Sequence, residues 1–365
     1  MTSVVFVATM EADTTRITAD KPCLPPFSKR QERDLLTSLL RDVSRSFYLT
    51  LRVLPREIRP QVSLAYLLAR ASDTIADTKT VVREKRIERL REFRMVLCGE
   101  GRASSRPLAQ KPGLDGARPS NRAEATLLER LGDCVEMFAS FSTEDRTRIS
   151  ELLQVIIDGQ IFDLERFPGE SERELVALQN DDELDRYTYM VAGCVGEFWT
   201  RMCKTHLPQL ECWSSGAMEE LGVRFGKGLQ LVNVLRDIPK DLRIGRCYLP
   251  VKEPRTLLDP ANYDSIRPEY TKWLDRAVEH LDAGWQYTMQ IPSDLWRLRL
   301  ACVWPIWIGL KTIARLRQGN PLDPSHRIKV SRGEVYGLMA RSFLVCQSDA
   351  ALDERYRKLR RTAIP

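Results

Sequence analysis

The stretch Ala65-Tyr-Leu-Leu-Ala-Arg-Ala-Ser-Asp73-Thr-Ile-Ala-Asp77 decides how the whole chain is read. Apolar residues across Val62–Ile75 recur at the i, i+3/i+4 spacing of an amphipathic helix. Asp73 and Asp77 stand at i and i+4, so on that helix both carboxylates leave one face, with Cβ atoms about 5–6 Å apart. Like charges so close repel: either both acids are solvated near a helix end, or something offsets the repulsion. Working outward, the same period marks Leu35–Leu40, Ile87–Leu97, Leu127–Phe138, Leu152–Phe162, Leu221–Leu235 and Ala277–Trp285. No run of alternating β-branched residues is bounded by Asn-Gly or Asp-Gly turns, and no long repeat or sustained heptad occurs. The pattern predicts an all-α, single-domain fold.

The 365 residues, 43% hydrophobic and 29% charged, are enough for one large core. The expected organisation is a disordered leader at 1–28 and a catalytic domain at 29–350, closed by a basic tail at 351–365. A flexible loop at 98–121 is marked by Gly99, Gly101, Pro107, Pro112, Gly113, Gly116 and Pro119. Fifty-six Lys+Arg against fifty Asp+Glu leave +6, an excess too thin for a nucleic-acid partner. Three histidines, His206, His280 and His326, disfavour imidazole ligands or bases. Nine cysteines without a CxxC pair read as reduced thiols in the cytoplasm. Val4–Met10 lacks the basic flank of a signal peptide. The longest uncharged apolar run, Leu300–Leu310, is about half the length of a spanning helix. Membrane contact is therefore expected to be peripheral at most, and the chain a monomer or weak dimer.

A second stretch, Gly228-Leu-Gln230-Leu-Val-Asn233-Val-Leu-Arg236-Asp237-Ile-Pro-Lys-Asp241, sets Asn233, Asp237 and Asp241 four residues apart in succession. Three oxygen-bearing side chains would line consecutive turns of one face inside an apolar run. Burying carboxylates without counter-charge costs several kcal/mol, so cations or basic residues are the natural compensation. Two such faces set opposite each other suit Mg²⁺, with Mn²⁺ as the alternative, shared between carboxylates and the phosphates of a substrate. Arg45, Arg70, Arg236 and Arg246 would take the remaining phosphate oxygens in fork geometry. Pro239 lacks an N–H and clashes with the carbonyl of Leu235 in a straight helix, so Asp241 is expected past a kink or break.

Four blocks in order resemble the squalene and phytoene synthase family, the head-to-head prenyl diphosphate synthases. They are Ser44-Arg45-Ser46-Phe47, Tyr66 to Asp77, Tyr187-Thr-Tyr-Met-Val-Ala-Gly193-Cys-Val-Gly196, and Gln230 to Asp241. The resemblance implies the isoprenoid synthase fold, with helices around a central cavity and two acidic motifs facing across its mouth. It assigns Asp73 and Asp77 to Mg²⁺ at one allylic diphosphate, and Asn233, Asp237 and Asp241 to Mg²⁺ at the other. Ser44, Arg45, Phe47, Tyr66, Arg70, Gln230 and Arg246 form the implied substrate-binding set, and Tyr187 the tyrosine of the first half-reaction. Phe47, Met190 and Phe198 are candidates for a dry cavity wall, although each residue of this kind is more often plain core. The chain departs from the family pattern at Ala76 and Lys240, where many members carry a further acid.

The late block Arg327-Ile-Lys329-Val-Ser331-Arg332-Gly333 resembles the segment that squalene synthases place near NADPH. Lys329, Ser331 and Arg332, with Arg236, are the implied cofactor-binding residues, although Ser331 stands where a basic residue is usual. The expectation is squalene synthase: two farnesyl diphosphates condensed through presqualene diphosphate and reduced with NADPH. A phytoene- or dehydrosqualene-type synthase without reductant is the alternative, and a non-catalytic assembly factor a third, disfavoured by the intact acidic motifs. Two features stand outside the motifs. Leu300–Leu310 reads as a core helix kinked by Pro305 or as a tunnel wall. Glu354–Arg361 reads as a floppy basic tail or as a patch for anionic lipid.

Overall fold

The computed structural model describes residues 28–44, 47–99, 121–325 and 328–364. The expected leader apart from Ser28, most of the loop at 98–121, Arg45 and Arg327 fall outside these residues. The first helices are α1 (Lys29–Asp34), α2 (Leu40–Ser44) and α3 (Phe47–Val53), with a π-helical turn at Leu35–Leu39. They are followed by α4 (Arg59–Asp77), α5 (Arg83–Cys98), α6 (Arg122–Glu129), α7 (Leu131–Ser140) and α8 (Thr143–Arg166). The second half consists of α9 (Asp181–Thr188), α10 (Cys194–His206), α11 (Ser215–Arg243), α12 (Tyr263–Met289), α13 (Trp296–Gln318), α14 (Arg332–Val345) and α15 (Asp349–Ala363). The all-α expectation holds. Two dipeptide strands, β1 (Val176–Ala177) and β2 (Arg246–Cys247), pair in parallel.

The long helix α11 lies against α10 on one side and α12 on the other, and α12 packs on α13. The α10–α11 crossing is close because Gly196 faces Gly222: a Cβ on Gly196 would sit 1.9 Å from the Gly222 carbonyl oxygen. On the other flank α8 packs against α4, α5 and α10, which brings the carboxylate end of α4 to α8. Most of Leu300–Leu310 is buried inside α13, Trp307 completely, and the helix continues through Pro305. That segment is core.

Two expectations are corrected. The end of the chain is ordered as α15, packed on α13, with Arg360 and Tyr356 both bonded to Asp282 of α12 and Arg357 paired to Asp353. The basic residues share one sequence run, but the apolar residues between them, Leu352, Tyr356, Leu359 and Ala363, are buried and hold the helix down. The second correction concerns Pro239. α11 runs unbroken through it to Arg243, and the Leu235 carbonyl that loses its helical donor accepts instead from the Tyr270 hydroxyl at 3.2 Å. Asp241 therefore stays in register with Asn233 and Asp237.

Candidate active site

Asp73 leaves the last turns of α4 toward α8, where Gln160 donates from Nε2 to Asp73 Oδ1 at 2.5 Å and to Ser72 Oγ at 3.0 Å. Arg70, one turn earlier, sits 3.6 Å from Asp73 Oδ2 and pairs with Glu124 of α6. The Asp73 side chain remains 45% exposed although protein surrounds it. Desolvation pushes its carboxyl up to about 6, Arg70 pulls it down and Asp77 pushes it up again. Asp77 ends the helix exposed. The pair is thus neither simply solvated nor neutralised: Asp73 is half-buried against Gln160 and Arg70, and Asp77 opens outward.

On α11, Asn233 is exposed and its Nδ2 lies 3.5 Å from Gln230 Oε1. Arg236 grips its neighbour Asp237 as a fork, Nε to Oδ1 at 2.9 Å and Nη2 to Oδ2 at 2.6 Å. Burial, then Asp237, push Asp241 up to about 7, against Lys240 and Arg246. Lys240 itself is exposed.

Between the two motifs stands Arg246, on β2. Gly245 before it has φ +84°, and a Cβ there would meet the Ser171 carbonyl oxygen at 2.9 Å, so only glycine lets the chain turn out of α11 into the strand. Arg246 Nη1 lies 2.6 Å from Asp163 Oδ2 of α8, and the Tyr248 hydroxyl donates to Asp163 Oδ1 at 2.6 Å. Asp163, then Tyr248 and Asp77, raise the Arg246 guanidinium above its ordinary value despite burial, and Arg246 in turn steadies Asp241. One guanidinium is therefore within electrostatic reach of both acidic helices. Tyr187, near the end of α9, stacks on Tyr248 with ring centroids 4.7 Å apart, and burial followed by Asp163 holds its phenol well above the usual range. The π-helical turn Tyr189–Gly193 follows it directly.

The remaining expected residues are placed as follows. Phe47 stacks on Tyr66 at 5.2 Å, and the Ser44 hydroxyl donates to the Leu40 carbonyl. Met190 and Phe198 are buried. Ser331 is the N-cap of α14: Glu334 N donates to its Oγ at 3.3 Å, and Ser331 N donates back to the Glu334 carboxylate at 3.1 Å. The Lys329 carbonyl accepts from Arg315, which also pairs with Glu334. The side chains of Lys329 and Arg332 are exposed. Arg236 and Ser331 are thus already engaged, whereas Lys329 and Arg332 are open to a ligand.

The donor set fits a hard divalent cation. All candidate donors are oxygens, burial first and a neighbouring carboxylate second raise the carboxyls of Asp73 and Asp241, and Gln160 Oε1 beside Asp73 is buried without a partner. Among the described residues no three acidic, imidazole or thiol groups gather at one point. Such a site would hold a cation through one or two carboxylates and leave other positions to water and phosphate.

A model of the family described as squalene/phytoene synthase matches residues 40–334. The chain belongs to that family. It is 30% identical over 243 residues to squalene synthase of Saccharomyces cerevisiae, a match covering 67% of this chain and 51% of the yeast protein. It is 31% identical over 249 residues to presqualene diphosphate synthase of Rhodopseudomonas palustris, covering 66% and 72%. Against the bifunctional lycopene cyclase/phytoene synthase of Blakeslea trispora it is 29% identical over 242 residues, covering 62% and 35%. The chain thus spans about half or less of the yeast and Blakeslea relatives. The solved structure of TcSQS with the ligand E5700 superposes with TM-score 0.69 at 18% identity, covering 92% of this chain and 98% of that one. A dehydrosqualene synthase complex superposes with TM-score 0.59 at 16% identity, covering 86% and 98%. Both establish the isoprenoid synthase fold.

Sequence reasoning missed Asp163, Gln160 and Tyr248. The first two are polar residues at i and i+3 inside the apolar run of α8, and that interruption was the available signal. Tyr248 offered none, because its role depends on β2 folding back toward α8.

Proposed function

We propose that the chain is a squalene synthase, joining two farnesyl diphosphates through presqualene diphosphate and reducing the product with NADPH. The observation that carries the prenyl-transfer reading is Arg246, anchored by Asp163 and Tyr248 within reach of Asp77 on one acidic helix and Asp241 on the other. Breaking an allylic C–O bond leaves negative charge on diphosphate, and a preorganised guanidinium stabilises it as it develops. Arg70 would serve the first motif likewise, being only partly committed to Asp73 at 3.6 Å. When bound, Mg²⁺ held by Asp73, Asp77, Asn233, Asp237 and Asp241 supplies further charge neutralisation to the leaving group. Tyr187 keeps its proton at neutral pH, so its hydroxyl acts as a hydrogen-bond donor toward departing diphosphate rather than as a base. Phe47, Met190 and Phe198 are suited to the dry side, where water would trap the allylic cation.

The reductive half is supported by the exposed Lys329 and Arg332, which would meet the 2′-phosphate of NADPH, the source of hydride. A second reading, a synthase that stops without reductant, is favoured by the engagement of Arg236 with Asp237 and of Ser331 in the helix cap. Incubation of the purified chain with farnesyl diphosphate and Mg²⁺, with and without NADPH, separates them. Squalene formed only with NADPH supports the first reading; the same product in both tubes refutes it.

A further inference from the structure

Away from the acidic motifs, a cavity of about 560 Å³ opens between α3, the start of α4 and the start of α13. Arg52, Arg56, Arg59 and Arg297 line it, with Tyr48 and Trp296. Two carboxylates, Glu57 and Asp294, also face it, so four positive groups meet two negative ones. None of the four arginines forms an ion pair among the described residues. Arg52 donates to the Tyr48 hydroxyl at 3.2 Å, Arg59 Nε to the Leu54 carbonyl at 3.1 Å, and Arg297 lies over the Trp296 ring at 4.7 Å. Burial, then Arg297, Arg56 and Arg52, press the Arg59 guanidinium below its ordinary value. Guanidinium groups held together without carboxylate partners in a concave site call for an oxyanion such as phosphate.

Through Trp296 this cavity adjoins α14, whose outer face is apolar. The Trp296 ring meets Phe343 of α14 at 6.2 Å. Leu338, Met339 and Ser342 are buried on the inner face of α14, yet Tyr336, Phe343 and Leu344 are 58%, 50% and 85% exposed on the outer one. With Ala340 they stand at i, i+4, i+7 and i+8, and the exposed charges on this helix, Arg332 and Arg341, are both basic. A surface helix normally turns a polar face outward; one apolar on both sides is covered by something. A second copy of the chain is a poor cover, because a two-fold seam here would bring two arginine-lined cavities side by side.

We propose that this face docks on an anionic phospholipid surface, the arginine cavity taking a headgroup phosphate while Phe343 and Leu344 enter the acyl boundary. The docking stands apart from the catalytic reading and moves membrane contact away from α15. Its test is co-sedimentation of the full chain with vesicles of phosphatidylcholine, alone or doped with phosphatidylglycerol. Binding to the doped vesicles is expected to fall about a hundredfold in Arg52→Gln/Arg56→Gln/Arg297→Gln, at roughly fivefold for each of the three charges. Phe343→Ser/Leu344→Ser should lose a similar amount, with melting curves reporting that both variants fold. Arg59 is left in place because it holds the Leu54 carbonyl. Arg355→Gln/Arg357→Gln/Lys358→Gln on α15 should leave binding unchanged. The proposal is overturned if no vesicle is bound, or if only the α15 variant loses binding. It is also overturned if inorganic diphosphate titrates the cavity while vesicles do not bind, or if sedimentation shows a dimer that Leu344→Ser dissociates.

Discussion

Replacing Asp163 with Asn tests whether the anchored guanidinium organises the site. Asp163 is 7% exposed, takes the Tyr248 hydroxyl at 2.6 Å and holds Arg246 at 2.6 Å. The amide keeps the size and one acceptor, but it leaves Arg246 charged and enclosed with its principal counter-charge gone. Breaking a buried pair from one side costs about 3–5 kcal/mol. A chain of 365 residues has an unfolding entropy near 0.8 kcal/mol/K, at about 2.1 cal/mol/K per residue, so the melting temperature should fall by about 4–6 °C. Turnover should fall about a hundredfold, the scale set by a misplaced positioning group. Differential scanning calorimetry and initial rates with farnesyl diphosphate measure the two effects. The double variant Asp163→Asn/Arg246→Met removes both charges and should recover part of the lost stability, giving a coupling of about 1–3 kcal/mol. A single variant melting within a degree of wild type, with undiminished rate, would refute the anchoring role.

Other expected outcomes follow from single features. Asp73→Asn and Asp237→Asn, made separately, should each abolish turnover while leaving the circular dichroism spectrum and melting point near wild type; wild-type activity in both removes the metal-site proposal. His280 is buried with Nδ1 unpartnered, and burial, then Arg224 and Lys227, lower it to about 4 from 6.5. Its neutral form stabilises the fold above pH 6.5, and that contribution is lost as pH falls toward 4, about 2 kcal/mol of it by pH 5. Urea unfolding at both pH values should show a smaller difference between them in His280→Gln. Gly196→Ala drives a methyl into the Gly222 carbonyl and should cost about 1–3 kcal/mol or more in chemical denaturation, whereas an unchanged midpoint would mean that α10 and α11 part freely. Ser331→Ala should cost about 1 kcal/mol as a lost cap, while Ser331→Asp keeps the cap and adds a charge. If the block meets NADPH, only the Asp variant raises its KM, by about fivefold; equal KM values in both leave Ser331 a cap alone.

The helical class was legible because its signal is local: apolar spacing in Val62–Ile75 or Leu221–Leu235 needs no tertiary knowledge. The two acidic faces were legible for the same reason, as i, i+4 pairs on helices. What escaped depends on distant segments meeting. Pro239 read as a break because the donor that rescues the Leu235 carbonyl, Tyr270, comes from another helix. The end of the chain read as a tail because its charges dominate the composition, while the four buried residues that dock α15 are spread through it. Asp163 was hidden inside a core-like run, and its partners Arg246 and Tyr248 follow about eighty residues later. Arg246 itself was read as a candidate phosphate ligand, yet nothing local indicated what would hold it still.

The small parallel pair of β1 and β2 has a mechanical consequence. Val176 N donates to the Gly245 carbonyl at 3.2 Å and Leu178 N to that of Cys247 at 2.9 Å. These two bonds tie the segment leading into α9 to the residues leaving α11, so the tyrosine at one end and the arginine at the other share a backbone brace. A displacement of the residues that leave α11 would therefore pull on the segment that leads into α9. The link between the two segments is carried by main chain, with no side chain needed to make it.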